Sequence, residues 1–118
     1  MDETVDAQGT AIGVGTLLAL GLFAYGRYIN ETVLGLDAAS LAIGAFGATF
    51  AAVSLLHGAY GRRDFAIAHG VAALGLFLVA PASSGEQTLG GYLLLVAGGA
   101  YIAVVTIRTR NADREVAG

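Results

Sequence analysis

Two long runs without a charged side chain meet at a turn that carries two arginines. The first occupies residues 38–60, the turn reads Gly61-Arg62-Arg63-Asp64, and the second occupies residues 65–81. A helix needs about 20 apolar residues to cross the hydrocarbon core of a bilayer, and runs of this kind are near that length. Paired arginines in a short loop between two such runs mark the loop as cytoplasmic. The same hairpin holds both histidines of the chain, His57 before the turn and His69 after it.

Composition agrees with a chain solvated by lipid. Of the 118 residues 56% are hydrophobic and 13% charged, whereas a soluble domain carries about 25% charged residues. The charges sit in short clusters between the apolar runs. The competing reading, a buried water-soluble core, does not explain uncharged runs of bilayer length. Cysteine is absent, which excludes disulfides, thiolate ligands and thiol nucleophiles. Lysine is absent too, so Schiff-base chemistry is excluded. Nine acids against six arginines give a net charge of -3, so there is no basic surface and no nucleic-acid partner is expected. An acidic, lysine-free chain rich in Ala and Gly is the composition expected of a high-GC, salt-loving microbe such as a halophilic archaeon.

Read in order, the chain divides into an acidic N-terminal tail (1–9), a first transmembrane hairpin (10–60), the cytoplasmic turn (61–64), a second hairpin (65–107) and a C-terminal tail (108–118). The tail carries Asp2, Glu3 and Asp6 and no base, unlike the positive start of a secretory signal. The first span, residues 10–25, is about 24 Å long as a helix and extendable to Tyr28. Asp37 is the expected N-cap of the second span, and Pro81, the only proline, is the expected stop of the third. The fourth span ends at Ile107. Four spans put both termini on the side of the Arg62-Arg63 turn. That side holds Arg62, Arg63, Arg108, Arg110 and Arg114, against Arg27 alone on the other. The bias places both termini in the cytoplasm of a multi-pass protein of the cell membrane.

A shift of 55 residues superposes the first hairpin on the second. Ala11 falls on Ala66, Gly15 on Gly70, Glu31 on Glu86, Leu34-Gly35 on Leu89-Gly90, and Gly44 and Ala48 on Gly99 and Ala103. The expectation is an internal duplication in which both copies insert the same way round. The matched pairs Ala11/Gly15, Ala66/Gly70, Gly44/Ala48 and Gly99/Ala103 are small residues four apart. Small residues on one helix face let helices approach closely in lipid, where hydrophobicity does not drive them together. Scatter by codon bias is the alternative, but the recurrence of the pairs at equivalent positions favours packing.

The residues at the end of the third span, Gly75-Leu76-Phe77-Leu78-Val79-Ala80-Pro81, followed by Gly85 and residues 89–99, resemble the repeat unit of the SPW-repeat membrane proteins. Ala80-Pro81-Ala82 stands where that motif has Ser-Pro-Trp, and the first copy has Tyr25-Gly26-Arg27. The resemblance implies a small membrane protein of two-helix repeats and carries no biochemical activity with it.

Few residues are equipped for chemistry. In an antiparallel hairpin His57 and His69 would lie at similar depth, one to two turns inside the cytoplasmic end. Two facing imidazoles could ligate a metal or haem iron or pass a proton. They could equally bond neighbouring carbonyls. Glu31 and Glu86 suit the positive end of a helix dipole. No carboxylate lies within a span, which argues against proton-coupled efflux, and no hydrolase constellation occurs. Arg62, Arg63, Arg108 and Arg110 are candidates for anionic lipid headgroups.

The sequence therefore predicts an all-α integral membrane four-helix bundle of two tandem hairpins, non-enzymatic and without a cofactor. Its expected partners are the lipid bilayer and a second copy or another membrane protein. The alternatives are a small-solute or ion path using the histidines, and a haem or metal site between the second and third helices.

Overall fold

A computed structural model describes the backbone of residues 2–117 and the side chains of residues 6–116. Asp2 and Glu3 of the acidic segment fall outside the described side chains. The chain forms α1 (Asp2–Tyr28), β1 (Thr32–Val33), β2 (Leu36–Asp37), α2 (Ala38–Ala59), α3 (Arg63–Val79) and α4 (Gly85–Ala117). The fold is helical, as expected. Three helices are long and apolar enough to cross a membrane: Asp6–Tyr28 within α1, all of α2, and Gly85–Val116 within α4. With 17 residues, α3 is only about 25 Å long. Both expected tails are continuations of helix, with α1 reaching back to Asp2 and α4 forward to Ala117.

Local chemistry sets the helix ends. Asp37 caps α2, its Oδ2 accepting from the Ser40 N–H at 2.8 Å, which satisfies one of the orphan donors of the first turn. α3 ends at Val79, two residues before Pro81, a residue whose ring and missing N–H cannot continue a helix. Ser84 Oγ accepts from the Gln87 N–H at 3.2 Å at the start of α4. The Gln87 side chain in turn donates to Leu78 O at 3.0 Å, so one residue serves the ends of two helices.

The first loop departs from the sequence reading. It is a miniature antiparallel hairpin, with Thr32 opposite Asp37 and Val33 opposite Leu36. The turn residues Leu34 and Gly35 both have positive φ, 51° and 82°. A two-residue turn of that form matches the twist of the strands and normally calls for Asn-Gly. The equivalent by the 55-residue shift, Leu89-Gly90, lies within α4. Glu31 sits ahead of β1, while Glu86 is in the first turn of α4. The residues that best marked a duplication are thus not structurally equivalent.

The extensive helix pairs are α1–α2, α2–α3 and α3–α4. Among the described residues no comparable α1–α4 pair closes the row, so the expected four-helix bundle is left open along one side. What is buried is small: Ala19, Ala38, Ala42, Ala68, Ala72 and Ala73 form most of the core, with Val53, Leu76, Val79 and Val105. Large side chains point outward, among them Leu17, Leu20, Leu55, Leu74 and Leu93.

The closest backbone approach between helices joins α3 to α4. A Cβ on Gly75 would come within 2.5 Å of Gly91 O and 2.6 Å of Leu95 N, and one on Gly98 within 2.6 Å of Ala72 N. The α4 side of this seam is Gly91, Gly98 and Val105, all buried, a heptad spacing that keeps one face toward its neighbour.

Candidate functional site

The turn between α2 and α3 is built to bring the two helices together early. Gly61 takes φ 80°, a conformation open to glycine, and Arg62 N–H donates to His57 O at 2.8 Å. One turn further in, Ser54 Oγ donates to Ala66 O at 2.6 Å, a bond between helices. Gly58 lies against Ala66, and Gly70 against Ser54. This closeness fixes His57 in the last turn of α2 beside His69 in the second turn of α3.

The imidazole ring centroids are 5.1 Å apart, their planes 31° from parallel. Phe65 stacks on His57 at 4.9 Å, Phe50 lies 5.8 Å from His69, and the Arg62 guanidinium sits 4.6 Å over the Phe65 ring, a cation–π contact. An aromatic file thus runs from the charged turn through both histidines to Phe50. The Gln8 amide nitrogen of α1 lies 3.4 Å from His57 Nδ1. His69 Nδ1 is 2.8 Å from Phe65 O. A carbonyl only accepts, so Nδ1 of His69 carries a proton and donates it, which leaves Nε2 as the second ring nitrogen free for another partner.

Both expectations for the pair have a physical counterpart. The histidines lie at similar depth, as antiparallel geometry implied; their rings also face each other, and His69 bonds a carbonyl. For a metal the two imidazoles provide half of a tetrahedral set. Among the described residues no group of three His, Asp or Glu side chains gathers. Comparison with family models, with characterised proteins and with solved structures finds no match. The reading of this site therefore rests on its own geometry.

The remaining predicted residues divide. Gly15 packs on Thr49, whose Cβ would lie 2.8 Å from an added Cβ, and Gly70 packs on Ser54. Ala11 and Ala66 are half-buried. Gly44 and Gly99 face open space, and Ala48 and Ala103 are exposed. Gly44 and Ala48 line grooves between α1 and α2, whereas Gly99 and Ala103 face outward from α4. Arg62, Arg63, Arg108 and Arg110 are exposed at one end of the molecule. Arg62 Nη2 donates to Thr109 Oγ1 across 3.4 Å, which brings the turn beside the arginines of α4. The ion pair from Arg62 to Asp64 is 3.7 Å long and half-exposed, a geometry worth little.

Sequence reasoning passed over Gly75, Gly91 and Gly98, the glycines of the closest helix contact. It looked for small residues four apart, and α4 spaces its contacts by seven. The recurrence Gly91, Gly98, Val105 was the available signal. Phe65 and Phe50 had no signal beyond proximity to the histidines, and Gln8 had none.

Proposed function

We propose that this chain is an integral membrane protein of four spans, with both termini and the Arg62-Arg63 turn in the cytoplasm. It acts without catalysis, through helix–helix association, as a subunit or homo-oligomer. The observation that carries the reading is the sorting of side chains by size. Among the described residues six of the ten buried apolar ones are alanine, while most leucines, with Phe23 and Phe77, lie outside. Water would penalise that surface at about 25 cal/mol per Å². Lipid does not, and close approach of small residues is how helices adhere within it. The weak resemblance to SPW-repeat membrane proteins fits the same reading.

The ends of the row support association. On α1, Gly9, Gly13 and Gly21 face open space, as Gly99 does on α4, and the exposed Ala103 continues the α4 face. Native mass spectrometry from mild detergent tests it. A complex of two or more copies, or a co-purifying membrane protein, is expected; a strict monomer without a partner contradicts it.

The contact of His57 with His69 favours a second reading, a path for a small solute or ion beside the pair. Liposome flux that survives replacement of both histidines would remove it. A haem or metal between α2 and α3 requires ligands from outside the pair, and a coloured or metal-loaded preparation would be its sign.

A further inference from the structure

Beside the histidine pair a crevice of about 300 Å³ opens between α1, α2 and α3. Its walls are apolar and aromatic: Ile12 from α1, and Phe46, Phe50 and Val53 from α2. Three polar side chains reach it, Thr16, Thr49 and His69. Thr49 has already spent its proton on Ala45 O at 2.8 Å. Pockets that bind small ligands have this make-up, with mostly apolar walls and a few polar groups that fix orientation.

The chemistry of those groups narrows the ligand. Because His69 Nδ1 donates to Phe65 O, a neutral ring presents Nε2 as an acceptor. No hydrogen bond to it is made by the described residues. An acceptor calls for a donor, and among lipid-soluble molecules the common donor is a hydroxyl. The Phe46 and Phe50 rings suit a flat partner, since aromatic pairs gain beyond their buried area. An apolar cavity of about 150 Å³ holds one benzene ring, so about twice that volume admits two fused rings. Within the membrane placement above, the lining positions on α2 lie about 9–20 Å from its cytoplasmic end. That depth excludes charged ligands and favours entry from the bilayer.

We propose that the crevice binds the ring of a lipid-soluble phenol or hydroquinone, its hydroxyl donated to His69 Nε2. The proposal rests on the membrane reading. It adds to it a ligand class and an orientation, with His69 as the residue that distinguishes a free hydroxyl from an ether.

The test uses the full chain in lipid nanodiscs, with 1-naphthol as probe and 1-methoxynaphthalene as the ligand that cannot donate. Binding is read by calorimetry against empty nanodiscs, and the His69 ring nitrogens by ¹⁵N NMR. Saturable binding of 1-naphthol is expected, about three- to tenfold tighter than that of the ether, the value of one neutral hydrogen bond. The Nε2 resonance should move with 1-naphthol alone. His69→Phe keeps a ring in place and should erase the difference between the probes. Thr16→Phe, which fills the crevice from α1 and leaves the His69 residue in the chain, should abolish saturable binding of both. Equal affinity for the two probes, or binding indifferent to both variants, would overturn the proposal. So would uptake no greater than that of empty nanodiscs. A chain that does not enter the nanodisc sinks the membrane reading along with it, whereas insertion without discrimination sinks this inference alone.

Discussion

α1 and α3 both pack on α2, but among the described residues only α3 has a second extensive neighbour, α4. α3 is the shortest helix and the most enclosed, with Ala68, Ala72, Ala73, Gly75, Leu76 and Val79 buried. α1 is ten residues longer, yet its only buried apolar residue among those described is Ala19, and Ile12, Val14, Leu17, Leu18 and Leu20 are all exposed. Part of the difference is that second neighbour, and part is backbone approach. Glycine at positions 75, 91 and 98 lets α3 and α4 touch main chain to main chain. The glycines by which α1 approaches α2, Gly15 and Gly26, each meet a small side chain, Thr49 or Ala38. Enclosure here follows side-chain size and not hydropathy, as expected where lipid competes for every large apolar group.

The comparison breaks most readily at Gly75. Gly75→Leu puts a side chain into the backbone of α4, and overpacking that cannot relax should cost about 3 kcal/mol or more. Detergent-titrated unfolding should show that loss. Gly15→Leu displaces only the Thr49 side chain, and about 1–3 kcal/mol is expected. Hydrogen exchange should rise in α1 and stay unchanged in α3 and α4, because α1 is the detachable end of the row. A uniform rise would show that α1 and α3 are not distinct in the way described.

Ser54→Ala removes the bond from Ser54 to Ala66 O. An interhelical hydrogen bond in a membrane is worth about 1 kcal/mol or less, so a small loss of stability is expected by the same titration. Leu34→Asn should go the other way. Leucine at φ 51° is strained, and asparagine tolerates that region, so a gain of up to about 1 kcal/mol is expected. Gly44→Leu and Gly99→Leu have open space to fill and should leave folding within about 0.5 kcal/mol of the parent. If either also reduces the oligomer seen in native mass spectrometry, that face belongs to the subunit contact.

Much of this architecture could be read from residues. Uncharged runs gave the helices, Asp37 gave a helix start and Pro81 a helix stop, because each of these acts locally. The similar depth of His57 and His69 also followed from the short turn, but that their rings face each other depends on the rotation of each helix, which the turn does not set. The open row was hidden, because alternation of runs and turns does not say whether the last helix returns to the first. Leu34 concealed the small hairpin, since leucine is not a residue that announces a left-handed turn. The crevice beside His69 was hidden as well: its lining comes from three helices, and no spacing in the sequence joins those residues.

The central claim is that α3, about 25 Å long by its rise per residue, carries the chain from one side of the bilayer to the other. The absence of cysteine makes the decisive measurement simple. Single variants Arg63→Cys and Ser83→Cys, one at each end of α3, are treated with a membrane-impermeant maleimide on intact cells and again after lysis. The account predicts labelling of the Ser83→Cys protein on intact cells and of the Arg63→Cys protein only after lysis. Labelling of both from the same side, or the reverse order, would contradict it.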